Sequence, residues 1–303
     1  MKLTNVKALV AVAETGSIRS AAAALNKTQS ALTKEIRRLE TEIGLTLFLR
    51  TSRGVIPTEA GSKVLSKARS IHADLISLDE EIANIKGSTS SHIRISAAPL
   101  ATTKIIPRAV ARLKASFPDV AVTISSDLFG DALKALREGQ HDLILGPTSH
   151  NDGNTDLKVE HLLTIEIAII TSRSSPFAKA TSLRELTDCY WAMMGDTVGT
   201  PKLRFQEQFT RQGAAPPNIR LASESRLGLL ALIQELGAVS TYPAPLLAEL
   251  NTDSDIVRIP IQEALKPLDI SLITRPGQSM SPAALHFAEC IRQRARILQR
   301  EWD

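Results

Sequence analysis

The sequence predicts a molecule in three parts. An all-α winged helix-turn-helix comes first, then a long linker helix, then an α/β domain of two lobes. Three observations carry this. A small-residue helix runs straight into an amphipathic one near the N-terminus. A heptad of aliphatic residues extends from Val64 to Ile85. Beyond it, strands alternate with helices in an order that occurs twice.

The first element is a helix over 3–14, where Leu3, Val6, Leu9, Val10 and Ala13 share one face and "ETGS" supplies the turn. Ser17 is placed to cap "IRSAAAALN", whose run Ala21–Ala24 leaves room for a second helix to cross closely. Thr28 can cap the third helix. There Leu32, Ile36, Leu39 and Ile43 form one face, while Gln29, Ser30, Thr33, Lys34 and Arg37 lie on the remainder. A row of amide, hydroxyl and cationic groups is either a solvated surface or a face made for a DNA groove. Next, the alternation of Leu45, Leu47 and Leu49 and the turn at Gly54 predict a two-stranded wing with Arg50 and Arg53 near its tip.

The linker helix follows from the absence of proline between Thr58 and Lys86. Val64, Ala68, Ile71, Leu75, Leu78, Ile82 and Ile85 recur at alternating steps of four and three, which is the spacing of a coiled-coil seam between two copies of the chain. "GSTSS" (87–91) reads as a flexible hinge. The remainder runs strand "HIRISAA", helix "KIIPRAVARLKASF", strand "VAVTISS", helix "GDALKALREGQ" and strand "DLILG". Residues 118–146 and 217–243 share one order of proline, strand, polar loop, helix, glycine and strand, which predicts two similar lobes. The divisions are then 1–58 for the head, 59–90 for the linker and hinge, and 91–303 for the body. Within the body, lobe 1 takes about 91–162 and 267–303, and lobe 2 about 163–266.

Charge separates these parts. Residues 1–69 hold twelve Lys/Arg against five Asp/Glu, a net of +7, whereas 91–303 hold 23 of each sign. Positive charge confined to the head points to a polyanionic partner. No run of 18 apolar residues occurs, so no membrane span is expected. The first residues read as a helix rather than a secretory signal, and Cys189 and Cys290 form no disulfide framework; a cytoplasmic protein is expected.

With these parts in place, "ETGSIRSAAAALNKTQSALTKEIRRLETEIGLTLFLRTSRGVIPTEAG" resembles the N-terminal motif of LysR-type transcriptional regulators. "FPDV", "LREGQHDLILG" and "SLREL" match the same family more weakly further on. Ser30 departs from it, standing where the family usually has proline. The resemblance implies double-stranded operator DNA as partner, a homodimer built on the linker helix that extends to a homotetramer, and a body similar to periplasmic binding proteins. It implies that Thr28, Gln29, Ser30, Thr33 and Lys34 face bases and phosphates, with Arg37, Arg50 and Arg53 at the backbone or minor groove. A small anionic effector would sit between the lobes; the resemblance leans towards regulators of aromatic-acid or sulfonate catabolism. No cofactor beyond that effector is expected.

The polar loops at 96–103, 195–201 and 223–225 are the candidate effector contacts, because helix N-termini favour anions. From them Ser96, Pro99, Thr102, Thr103, Thr197, Thr200, Ser223 and Ser225 are expected to converge with Thr148, and Phe129 and Tyr242 to wall an aromatic ring. In this reading hydroxyls hold the anion without a buried cation. Two other readings stand beside it. A redox sensor would use Cys189 and Cys290, although both lie in apolar patterns. An enzyme would need a motif, and the six histidines show no metal spacing and no nucleophile or phosphate loop is present.

Overall fold

A computed structural model describes residues 1–51, 54–85, 92–127, 129–148, 156–195, 200–250, 255–278 and 280–302, without the side chains of 77, 80, 81, 83–85, 129 and 200–204. The head contains α1 (Leu3–Thr15), α2 (Ile18–Ala24), α3 (Gln29–Ile43) and a wing of β1 (Phe48–Thr51) paired antiparallel to β2 (Gly54–Pro57). Gly16 ends α1 at φ +60°, and the Ser17 hydroxyl accepts from the Ser20 N–H at 3.4 Å to start α2. Ala21 and Ala22 are buried where α2 crosses α3. The Thr28 hydroxyl caps α3 by accepting from the Ala31 N–H at 3.2 Å, and Leu32, Ile36 and Leu39 turn into the core.

The wing is seated by close backbone approaches. The Val55 N–H donates to the Gly16 carbonyl at 2.8 Å, and a Cβ on Gly54 would lie 2.6 Å from that same oxygen. Gly61 is tighter still, since a Cβ there would stand 2.0 Å from the Leu47 carbonyl oxygen. Thr58 locks the corner: its hydroxyl donates to the Thr46 carbonyl at 2.7 Å and accepts from the Gly61 N–H at 2.8 Å. The "T-x-A-G" run is therefore a cap followed by a residue with no side chain, where helix meets wing.

The linker helix α4 (Glu59–Ile85) has 27 residues and spans about 40 Å at 1.5 Å per residue. Its heptad does not act as one seam. Ala68 is 1% exposed in the head core beside Leu65, and Val64 and Ile71 pack against that core. Ala68 therefore has no surface left for a partner, because α1 already covers this half of the helix. Further along, Leu75 is half-buried while Leu78 and Ile82 are 50% and 41% exposed. The Ile85 side chain and the 87–91 hinge lie outside the described residues.

The middle of α4 rests on the body. Arg69 pairs with the buried Glu138 at 2.8 Å, and Arg275 Nη1 reaches Asp74 at 3.1 Å and the Ser70 hydroxyl at 3.2 Å. Between these pairs, Gly139 (φ +73°) approaches so closely that a Cβ would lie 2.1 Å from the Ala73 Cβ.

Lobe 1 is built on β3 (His92–Ala97), α5 (Pro99–Lys104), α6 (Ile106–Ser116), β4 (Ala121–Ser125), α7 (Phe129–Arg137), β5 (Leu143–Thr148) and β6 (Lys158–Ile165). The chain then crosses into lobe 2. That lobe has β7 (Ile167–Ser172), β8 (Trp191–Met194), α8 (Thr200–Arg211), β9 (Ile219–Ser223), α9 (Arg226–Leu236), β10 (Ser240–Pro243), a 3-10 turn at Ala244–Glu249 and β11 (Ile256–Arg258). It returns through β12 (Leu268–Thr274) to α10 (Pro282–Trp302) in lobe 1. The expected helix "KIIPRAVARLKASF" is α6, which begins at Ile106; Lys104 instead closes the short helix α5. Pro107 sits in the first turn of α6, where its missing N–H has no intrahelical partner to lose.

The lobe 1 sheet runs β4-β3-β5-β12-β6, with β3 parallel to β4 and β5 and β12 antiparallel to its neighbours. In lobe 2, β8 lies parallel to β9, a bridge joins Trp191 to Val239 just before β10, and β7 pairs antiparallel with β10 and β11. The lobe 2 order is thus β9-β8-β10-β7-β11. The two lobes repeat one plan, as the paired segments in the sequence imply. One continuous core contains Ile95, Leu145 and Phe287 of lobe 1 together with Ile233, Tyr242 and Leu246 of lobe 2.

Candidate nucleic-acid interface and effector cleft

On the head, the apolar face of α3 is buried and its other face is presented outward. Thr28, Gln29, Ser30, Lys34 and Arg37 are exposed and Thr33 is half-buried. Ser30 lies in the first turn with its hydroxyl 3.1 Å from that of Thr28, so two hydroxyls converge where a proline at 30 would have left only that of Thr28. Arg50 is exposed on β1; Arg53 lies outside the described residues. Thr33, Arg37 and Arg50 line a small groove of about 60 Å³ between α3 and the wing, walled by Ile18, Phe48 and Val55.

Glu40 holds the wing against α3, its carboxylate accepting from the N–H groups of Leu47 at 2.7 Å and Phe48 at 3.2 Å. Lys27 is neutralised by Glu35 at 2.6 Å. Among the described residues Lys34, Arg37 and Arg50 have no acidic partner, so their charge remains available to an outside anion.

In the body the expected effector residues divide. Ser96 is 2% exposed, and its hydroxyl supports Asp127 together with Ser125 and His141. Burial would raise the Asp127 carboxyl, but these hydrogen bonds outweigh it and hold the group below its usual range. Ser96 is thus part of an internal network and does not face an opening. Thr102 and Thr103 do not open a helix either: α5 begins at Pro99, and both hydroxyls donate back to the Pro99 carbonyl, at 2.8 and 3.1 Å. Thr148 shares a hydrogen bond with Ser271 at 2.6 Å. Tyr242 is 3% exposed within the shared core, so it offers no open wall to a ring. Ser225 caps α9 by accepting from the Gly228 N–H at 3.3 Å, and the Ser223 hydroxyl donates to the Ser225 carbonyl at 2.9 Å. Thr197 lies outside the described residues, as do the side chains of Phe129 and Thr200.

Sequence reasoning missed the charges beside these hydroxyls. Lys104 follows Thr103, and Arg226 follows Ser225. Both pair with Glu249, at the end of the 3-10 turn after β10, with Arg226 at 3.4 Å. Burial would raise the Glu249 carboxyl, but Lys104 first and Arg226 second overcome it and hold it low. The Tyr242 phenol is pushed up by burial and bonded to Arg226. No spacing in the sequence signals Glu249, because only the fold brings it back to α5.

The cysteines do not form a redox pair. Cys189 is buried in the lobe 2 core, its thiol donating to the Leu186 carbonyl at 3.0 Å, and burial pushes it up to about 12. Cys290 lies in the other core with its thiol also raised by burial. Thiols held protonated and covered are poor nucleophiles. Among the described residues no group of His, Cys, Asp and Glu is placed to hold a metal ion, and no helix is long and apolar enough to cross a membrane.

A winged helix-turn-helix with free cations, carried on a long helix and joined to two α/β lobes, defines a DNA-binding protein with a ligand-sensing body. Residues 3–62 match the bacterial regulatory helix-turn-helix protein, lysR family, and residues 86–296 match the LysR substrate binding domain. The chain belongs to the LysR family of DNA-binding transcriptional regulators and carries a C-terminal effector-binding domain; it is not an enzyme. It is 29% identical over 294 residues to the HTH-type transcriptional regulator GalR of Pseudomonas putida, covering 95% of this chain and 73% of that one. Its fold is similar to full-length OxyR from Pseudomonas aeruginosa, at TM-score 0.69 and 19% identity over 96% of this chain and 98% of that one. It is also similar to full-length CbnR complexed with its target DNA, at TM-score 0.52 and 22% identity over 97% and 100%.

Proposed function

We propose that α3 enters the major groove of operator DNA, with Gln29, Ser30 and Thr33 reading base edges, Lys34 and Arg37 meeting phosphates, and the wing residues Arg50 and Arg53 reaching the neighbouring backbone. The observation that carries this reading is that Lys34 and Arg37 on α3 and Arg50 on the wing are exposed, with no acid among the described residues to neutralise them. Gln suits bidentate pairing with adenine and hydroxyls suit several edges. The chain acts as a homodimer through the later part of the linker, where Leu78 and Ile82 are exposed and Leu75 is half-buried, and dimers pair into a tetramer. It works in the cytoplasm and needs no cofactor. The signal is a small anion bound between the lobes, an aromatic acid or a sulfonate.

Two experiments test this. In a salt titration of operator binding, Lys34→Ala and Arg37→Ala should each lower the slope of log affinity against log salt by about 0.9. Gln29→Ala and Thr33→Ala should instead relax sequence preference. Unchanged slopes and preferences in all four variants would remove α3 from the groove. A thermal-shift screen of small carboxylates and sulfonates should yield a stabilising compound; a screen in which only neutral or cationic compounds stabilise the protein would refute the anionic effector.

A further inference from the structure

Lys104, Arg226 and Glu249 meet where the two lobes join. Lys104 closes α5 in lobe 1, Arg226 opens α9 in lobe 2, and Glu249 ends the lobe 2 turn that follows β10. One carboxylate oxygen of Glu249 takes Lys104 and the other takes Arg226 at 3.4 Å, so a single anionic group bridges cations from opposite lobes. The backbone under both cations is fixed. Arg294 Nε on α10 donates to the Lys104 carbonyl at 3.1 Å, and the Ser225 cap holds the first turn of α9. Yet the side chains of Lys104, Arg226 and Glu249 keep 26%, 27% and 33% of their surface, so solvent and small solutes reach them. Thr103 and Ser225, candidate effector contacts in the sequence, are the immediate chain neighbours of the two cations.

We propose that Lys104 and Arg226 form the anion-binding part of the effector site, and that Glu249 is its internal occupant, displaced when the effector's carboxylate or sulfonate takes both cations. This rests on the reading that the effector is a small anion held between the lobes. Exchange of one carboxylate for another keeps both cations paired, so no charge is stranded. A neutral compound cannot make the exchange, and this sets the ligand class. Binding is weakened by the fraction of time Glu249 holds the site, as for any ligand that requires a minority state. The Arg226 fork adds direction to the contact, and Lys104 adds a point charge from the other lobe. The effector thereby replaces a tie between the lobes that the chain itself supplies.

Inorganic sulfate is the probe, with sodium chloride at matched ionic strength as reference. Glu249→Gln keeps the shape of the side chain and removes its charge. It should bind sulfate at least tenfold more tightly than the unaltered protein in thermal-shift titration. Adding Lys104→Met and Arg226→Met should abolish that gain. Equal sulfate responses in the single and triple variants would overturn the proposal. If Glu249→Gln does not fold, Lys104→Met in the otherwise unaltered chain decides: compounds from the screen should bind it at least tenfold more weakly. A compound that binds with unaltered affinity to both Lys104→Met and Arg226→Met would overturn the site while leaving the anionic effector standing. If the screen supplies no anion, that reading fails, and the sulfate titration still decides the cation pair.

Discussion

Single residues fix the head because it is assembled from backbone approaches as much as from side chains. At Gly61 a methyl group would stand 2.0 Å from the Leu47 carbonyl oxygen, which belongs to the wing and cannot rotate away. Gly61→Ala should therefore cost about 3 kcal/mol, at the upper end of overpacking penalties. An unchanged denaturant midpoint for the head would show that α4 is not seated there. Cys189 gives a pH test. Its folded thiol titrates at about 12 against an ordinary 9, so between those values the unfolded chain has released a proton that the folded one retains. Stability from this group is complete below pH ~9 and should fall by roughly 1.4 kcal/mol per unit as the pH rises towards ~12. Cys189→Ala should flatten the dependence by that amount when both proteins are unfolded in urea from pH 8 to 11. Parallel curves would mean the thiol is wetter than its packing indicates.

Elements were legible in the sequence wherever one periodicity had one cause. The caps Ser17 and Thr28, the apolar face of α3 and the wing turn at Gly54 all stand where local chemistry places them. The linker was legible as a helix but not as a surface. Seven aliphatic positions share one spacing, yet Ala68 faces α1 of its own chain whereas Leu78 and Ile82 face solvent. A heptad records which face is apolar and says nothing about what covers it. The exposed half is the place for a partner, so Leu78→Lys together with Ile82→Lys should convert the dimer to monomers in sedimentation velocity. It should also weaken operator binding, because two heads on one particle engage two half-sites together. The buried half differs: Ala68→Lys should unfold the head, seen as loss of its circular dichroism. A monomer with a folded head from Ala68→Lys would reverse the assignment of the two halves.

Across the whole molecule, the repeat in the sequence announced two lobes of one plan, and the strand orders agree. The cleft was only partly legible: Lys104 and Arg226 adjoin hydroxyls in the sequence, but Glu249, which joins them, comes from a distant segment. Lys104 and Glu249 become neighbours only after the chain has crossed from lobe 1 into lobe 2. The contact between linker and body was equally hidden, and it joins the head to the lobes. Arg69 and Glu138 pair at 2.8 Å, and Nε of both Arg69 and Arg275 is buried without a hydrogen-bond partner among the described residues. Glu138→Gln removes the counter-charge on which the docked, largely buried Arg69 depends. It leaves the Arg69 guanidinium facing a neutral amide, and the cheapest relief is for α4 to lift away and let water reach the arginine, since Arg69 belongs to the linker and Glu138 to lobe 1. Head and lobes should each keep their own cores, whose residues lie elsewhere. Spin labels on Arg19→Cys and Lys134→Cys, in a background with Cys189 and Cys290 replaced by alanine, should give one narrow distance with Glu138 present. Glu138→Gln should give a broad, longer distribution while the melting of the lobes is unchanged. If the distribution stays narrow in Glu138→Gln, the ion pair does not hold linker to lobe, and the close approach at Gly139 does so without it.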